Sequence, residues 1–315
     1  MIPPLDLTLT PAEAVRALER ALRDGLDPEA APPRTAVPVP AGELLLMPAA
    51  AGRRAGVKIA GVAPGNPALG LPRITGAYLL LDGPTLRPLA LFDGAALTAL
   101  RTPAVTALAL DRLAAPDASH LVLFGAGPQA HGHLAALAGI RPLHRVTVVA
   151  RRPGPAAALV ARARALGLDA RAGGPDEVAD ADLVVCCTTA RTPLFDGRLV
   201  PDRAAVAAIG SHEPDAREVD TALVCRSALW VEARAVLPEA GDLLAAFAES
   251  GPLPLANLSE LVTGAAVVPV DRPRLFKGVG MAWQDLAVAA AQYDLHGGEP
   301  PGPGPDGLRA EAGET

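Results

Sequence analysis

The sequence predicts an α/β chain of two architectures, an antiparallel set of strands followed by strands alternating with helices around a parallel sheet. Two observations carry this. The strand-like segments Leu44–Met47, Gly56–Ala60, Gly76–Leu81 and Leu86–Leu91 follow one another closely, and Asp82-Gly83 is a hairpin signal between the last two. From His120 onward, strand-like runs are instead followed by Ala- and Leu-rich helical stretches at β-α-β spacing.

The elements follow in order. Residues 10–26 have helical periodicity, with Thr10 as N-cap, Pro11 in the first turn and Glu13 three residues after the cap. Pro28–Pro40, which contains Arg34, reads as a Pro-rich connector, and Ala95–Leu113 as a long helix carrying the chain into a second domain. There, strand Leu121–Phe124 runs into Gly125-Ala126-Gly127 and a helix over 128–139, followed by strand Arg145–Ala150 and a helix over 155–166 stopped by Gly167. Strand Asp169–Ala172, a short helix near 175–179, and strands Ala181–Cys187, Ala205–Ile209 and Leu229–Glu232 come next. Helices are expected near 239–249 and 258–263, and a last one over Met281–Tyr293 returns to the first domain. The expected division is 1–108 plus 281–296 for a discontinuous α+β domain and 109–280 for the α/β domain, with 297–315, rich in Gly, Pro and acid, as a disordered tail.

The glycine pair gives the second domain its chemistry. Gly125 permits a tight turn, and Gly127 lets a pyrophosphate approach backbone N–H groups at a helix N-terminus, the Rossmann arrangement for a dinucleotide. Sites that prefer NADH place an acid near the end of the second strand to bind the ribose hydroxyls. This chain has Arg151-Arg152 there, which suits a 2′-phosphate, so NADPH is expected over NADH, with NADH possible.

Composition excludes several classes. The 315 residues are 50% hydrophobic and only 3% aromatic, so the cores must be closely packed Ala, Leu and Val. A net charge of -6, with no basic block longer than a pair, argues against nucleic acid. No apolar run approaches the ~20 residues needed to cross a bilayer. Cys186, Cys187 and Cys225 lack metal-ligand spacing and read as buried thiols in a reducing cytoplasm, and no metal site is expected. Of 28 lysines and arginines, only Lys58 and Lys277 are lysines. An ammonium is a compact, tunable charge that a planar guanidinium does not imitate.

Arg34, Lys58 and Arg101 are the basic candidates of the first domain; converging on one carboxylate, they would recognise an amino or imino acid. Gly210-Ser211-His212-Glu213-Pro214-Asp215 follows a parallel strand, at the sheet edge where such folds bind ligands. His212 there can hold or relay a proton, whereas His120, His131, His133, His144 and His296 are expected at helix or loop surfaces. Thr188-Thr189 closes a strand where hydroxyls contact nucleotide, and Leu275–Gly280 reads as a flexible segment over the cofactor.

Together these motifs resemble the ornithine cyclodeaminase/mu-crystallin family from about Pro32 to Tyr293: VKIAGVAPGN (57–66), ALTALRTPAVTALA (96–109), LFGAGPQAHGHLAAL (123–137), GSHEPDAREVD (210–220), EAGDL (239–243) and LFKGVGMAWQDLAVAA (275–290). The resemblance implies a homodimer whose first domain, completed by the last helix, binds substrate. It implies Arg34, Lys58 and Arg101 around the substrate carboxylate; Lys58 and His212 are the catalytic candidates. Cofactor contacts would fall to Thr102, Gly125, Gly127, Pro128, Gln129, Ala130, Arg151, Arg152, Thr188, Lys277 and Val279. Ornithine and lysine cyclodeaminases carry an Asp where this chain has His212, and the GSHEPDARE wording is closer to the alanine dehydrogenase and ketimine reductase branches. The expected activity is reduction of Δ1-pyrroline-2-carboxylate or Δ1-piperideine-2-carboxylate to proline or pipecolate. An amino-acid dehydrogenase, an ornithine cyclodeaminase and a non-catalytic NADPH-dependent binding protein are the alternatives.

Overall fold

A computed structural model of the chain describes residue 2 and residues 4–298, so the expected disordered tail lies, beyond Gly298, outside the described residues. The chain forms two compact units: residues up to 17, 30–101 and from 281 on, and residues 18–29 with 102–280. The division falls inside two helices, α1 (Pro11–Arg23) and α2 (Gly94–Leu113). The Thr10 cap of α1 forms as expected: the Glu13 carboxylate accepts the Thr10 N–H at 2.8 Å, and the Thr10 hydroxyl accepts from the Glu13 N–H at 3.3 Å.

In the first unit, β1 (Thr35–Val39), β2 (Gly42–Ala51), β3 (Arg54–Val62), β4 (Ile74–Asp82) and β5 (Pro88–Asp93) form an antiparallel sheet in chain order. β1 corrects the expectation of a connector through Pro40. It contains Pro38, which lacks an N–H to donate, and a sheet tolerates this because β1 is an edge strand. Alternation sorts the side chains onto two faces. Met47, Lys58, Tyr78 and Phe92 are register partners in one row across β2 to β5, all buried, and the C-terminal helix (Ala282–Leu295) packs on β2, β3 and β4. Gln292 of that helix accepts the N–H groups of Thr8 and Leu9 at 2.8 and 3.0 Å, tying down the N-terminal segment.

The second unit holds β6 (His120–Phe124), α3 (Pro128–Ala138), β7 (Arg145–Val149), α4 (Pro153–Ala165), β8 (Asp169–Ala172), β9 (Leu183–Cys186) and β10 (Ala205–Ala208). It continues with α5 (Thr221–Arg226), β11 (Ala228–Val231), α6 (Gly241–Ser250), β12 (Leu255–Asn257), α7 (Leu258–Thr263) and β13 (Arg274–Lys277). The strands pair in parallel in the order β12-β11-β13-β10-β9-β6-β7-β8. The chain winds outward from β6 through β7 to β8, then restarts on the other side at β9. That reversal marks the switch point where open parallel sheets bind ligands at their carboxyl ends.

Three expectations need correction. Leu275–Lys277 is not a flexible segment: β13 is wholly buried between β10 and β11. His120 and His133 are buried, not superficial. His120 Nε2 lies 3.0 Å from the Thr147 hydroxyl, and burial pulls the His133 pKa down to about 4, leaving it a neutral core residue. Of the cysteines, Cys186 is buried but Cys225 is exposed, and all three are free thiols. Among the described residues no helix is long and apolar enough to cross a membrane.

Candidate active site

In the first unit the charged residues gather around one carboxylate. Lys58 projects from the middle of β3, Arg101 from α2, and Asp285 from the first turn of the C-terminal helix, where the helix dipole favours a negative charge. The Lys58 ammonium donates to both Asp285 oxygens, at 3.0 and 2.9 Å, and to the Thr98 hydroxyl at 3.0 Å. Arg101 Nε donates to Asp285 Oδ1 at 3.2 Å, and its Nη1 to the Gln284 amide oxygen at 2.6 Å. Asp285 is 0% exposed, whereas Lys58 and Arg101 keep 4% and 5%, so the carboxylate backs the two cations.

Burial among Met47, Tyr78 and Phe92 brings the Lys58 pKa from 10.5 down to about 8; Asp285 opposes the shift, and the charges of Arg101 and Arg34 reinforce it. The three cations expected from the sequence therefore feel one another, with Asp285 among them and positive charge left over. Such a cluster suits a small carboxylate.

In the second unit the glycine turn is built for a dinucleotide. Gly125 has φ +109°, and a Cβ there would lie 2.7 Å from the Cys187 carbonyl oxygen, so only glycine fits. Gly127 is the N-cap residue of α3, with Pro128 at the first helical position and no side chain capping the helix. A Cβ on Gly127 would meet nothing within 4 Å, so the space beside the N-cap of α3 is open. Two buried polar atoms, Gln129 Oε1 and Thr102 Oγ1, have no hydrogen-bond partner among the described residues. Buried polar groups are rarely left unpaired without reason, and both belong to residues expected to contact the cofactor. These features fit a nicotinamide dinucleotide with its pyrophosphate on α3.

Arg151 and Arg152 are exposed at the end of β7, with Arg152 as N-cap of α4. A cleft of about 740 Å³ opens beside them, lined by Ala150, Arg151, Pro153, Ala157, Arg164 and Gly173 among others. Ser211 is buried and His212 exposed on the loop that leaves β10.

Three carboxylates that were not singled out from the sequence organise this edge of the sheet. Glu218 accepts from the Thr188 N–H, the Thr188 hydroxyl and the Gly210 N–H, each at 2.7 Å. Burial pushes the Glu218 pKa up, opposed chiefly by the charge of Lys277. Asp242 accepts the N–H groups of Glu218 and Val219, and Glu232 those of Val279 and Gly280. Thr188 and Val279 are thus anchored by carboxylates, and the Lys277 ammonium is wholly buried, donating to the Ser211 carbonyl. The signal available in the sequence was position: Glu232 directly follows the apolar Leu229–Val231, and Asp285 sits inside an apolar helix.

Residues 7–298 match the model of the ornithine cyclodeaminase/mu-crystallin family. The chain belongs to that family. It is 37% identical over 271 residues to Delta(1)-pyrroline-2-carboxylate reductase 2 of Burkholderia ambifaria, covering 84% of each chain. Among solved structures it is similar to Delta(1)-pyrroline-2-carboxylate reductase of Thermococcus litoralis in complex with NADH and L-proline, at 28% identity and a TM-score of 0.87, covering 94% of this chain and 98% of that one. An archaeal alanine dehydrogenase dimer with bound NAD is similar too, at 26% identity and a TM-score of 0.86, covering 92% and 95%. The Lys58–Arg101–Asp285 group and the α3 turn both fall within the stretch that the family model matches.

Proposed function

We propose that this protein reduces a cyclic ketimine carboxylate, Δ1-pyrroline-2-carboxylate or Δ1-piperideine-2-carboxylate, to L-proline or L-pipecolate. The observation that carries the reading is the Lys58–Arg101 pair, backed by Asp285, in a chain similar to a named pyrroline-2-carboxylate reductase. The bound reduced nicotinamide dinucleotide supplies the hydride, which the imine carbon accepts while the protonated imine nitrogen becomes an amine. Lys58 and Arg101 hold and orient the carboxylate next to that carbon, with Arg34 adding positive potential. His212 keeps the proton on the imine nitrogen. Gly127, Gln129, Ala130 and Thr102 hold the dinucleotide, and Arg151 and Arg152 hold its 2′-phosphate.

The test follows the absorbance of NADPH and NADH with each cyclic imine and, separately, with pyruvate plus ammonia. Turnover of an imine supports the reading; turnover of pyruvate plus ammonia alone would replace it by amino-acid dehydrogenation, which the alanine dehydrogenase likeness favours. Replacing Arg151 and Arg152 together by Ala removes charge-assisted bonds worth about 1.5–3 kcal/mol. The KM for NADPH should then rise by about 10- to 100-fold while that for NADH changes little. Equal changes for both would refute a 2′-phosphate site.

The same reading includes a homodimer in the cytoplasm. The outer face of the first unit's sheet carries Val37, Leu44, Ile59 and Leu91 at 37–43% exposure, with Leu46 and Leu79 between them in register. A contiguous apolar sheet face of this kind suits a protein–protein interface. Ile59→Asp should convert the dimer to monomer in analytical ultracentrifugation, and a monomeric parent protein would dispose of the idea. Three free thiols suit a reducing compartment.

A further inference from the structure

One of the chain's two lysines, Lys58, lies in the charge cluster of the first unit. The other, Lys277, is 0% exposed at the end of β13, beside Leu275 and Phe276 in the centre of the parallel sheet. Its ammonium donates to the Ser211 carbonyl at 2.9 Å and faces Asp242 Oδ2 as an ion pair at 2.9 Å. Asp242 Oδ1 accepts the Glu218 and Val219 N–H groups at 2.6 and 2.9 Å, while the Glu218 carboxylate reaches back to the Gly210 N–H at 2.7 Å. The loop from Gly210 to Val219 is therefore gripped at both ends, and Lys277 joins the grips. His212 is the residue after the carbonyl that Lys277 holds.

An ammonium taken wholly out of water is costly even when paired, and an apolar side chain would fill a central strand without that cost. A sequence that uses arginine nearly everywhere has kept a lysine here, where one compact donor, not a planar fork, fits between a carbonyl and a carboxylate. We infer that Lys277 is a positioning residue: its ammonium fixes the Ser211 carbonyl and so the direction in which His212 leaves the sheet edge. This rests on the role given to His212 in the proposed reduction.

The single Lys277→Met would strand the Asp242 charge and disturb folding, so the test uses Lys277→Met with Asp242→Asn. Methionine refills the volume, and the asparagine oxygen still accepts the two N–H groups. Amide hydrogen exchange across residues 210–219 should accelerate by about tenfold or more, while β6 and β7 stay protected. The kcat with the cyclic imine should fall on the order of 10²-fold, because small misplacements of a reacting group cost about that much. The Kd for NADPH should move by no more than about threefold. Adding His212→Ala to this variant should lower kcat no further, since two residues acting as one unit are not additive. Unchanged exchange, an undiminished kcat, or losses that simply multiply would each overturn the inference. His212→Ala alone separates the two ideas. Full kcat there overturns the role of His212, whereas a lost kcat there beside an active Lys277→Met/Asp242→Asn variant overturns that of Lys277 alone.

Discussion

Lys58→Met is expected to lower kcat/KM for the cyclic imine at neutral pH by roughly 10²- to 10³-fold, the cost of removing one partner from a buried charge pair. Methionine matches the length of the lysine stem, so the row with Met47, Tyr78 and Phe92 keeps its packing while the charge goes. The loss should appear mainly in KM, because the carboxylate is held in both ground and transition states. The pH dependence separates charge from bulk. In the free protein Lys58 has a pKa of about 8, depressed from 10.5. Below that value the ammonium is present and attracts the substrate carboxylate; above it the charge is lost, so binding weakens by up to about tenfold per pH unit. The inhibition constant of the product L-proline should show the same limb. Lys58→Arg keeps its charge throughout and should erase the limb while retaining part of the affinity. A limb that persists in Lys58→Arg would assign the titration to another group.

What the sequence made legible follows from where its physics is local. The Thr10–Glu13 cap, the Asp82-Gly83 hairpin and the Gly125–Gly127 turn are each decided within a few residues, and each forms. Strands buried on both faces carry no period-two signature, so β13, four residues between a proline and two glycines, looks like a loop until its neighbours in the sheet are known. β1 was hidden by Pro38, which only the edge of a sheet accepts. The site divides in the same way. Lys58, Arg101 and the α3 turn carry visible motifs. Asp285, Glu218 and Asp242 lie inside quoted motifs and Glu232 outside them, yet none of the four shows its role, because an acid is expected at the surface unless its partner is known, and those partners lie up to 227 residues away. The scarcity of lysine was the useful global clue. Both ammonium groups are buried, and each faces a carboxylate that is 0% exposed.

That carboxylate in the first unit sets the largest expected effect on stability. Asp285→Ala leaves Lys58 and Arg101 facing each other with nothing between them, and breaking a buried pair in this way costs about 3–5 kcal/mol. For a protein with a stability of about 5–15 kcal/mol this is a large fraction. At about 2–4 °C per kcal/mol, the melting temperature should fall by roughly 6–20 °C. The substitution also empties the position behind the cations, so a small carboxylate can occupy it. Added formate should therefore restore part of the lost melting temperature in Asp285→Ala, and chloride at equal ionic strength should restore less, because only a carboxylate accepts from the ammonium and the guanidinium in the geometry of Asp285. The substrate analogue L-proline, competing for the same cations, should stabilise the variant more than it stabilises the parent protein. If the melting temperature is unmoved by Asp285→Ala, or formate and chloride act alike, the pair is solvated and the carboxylate preference argued for Lys58 and Arg101 loses its basis.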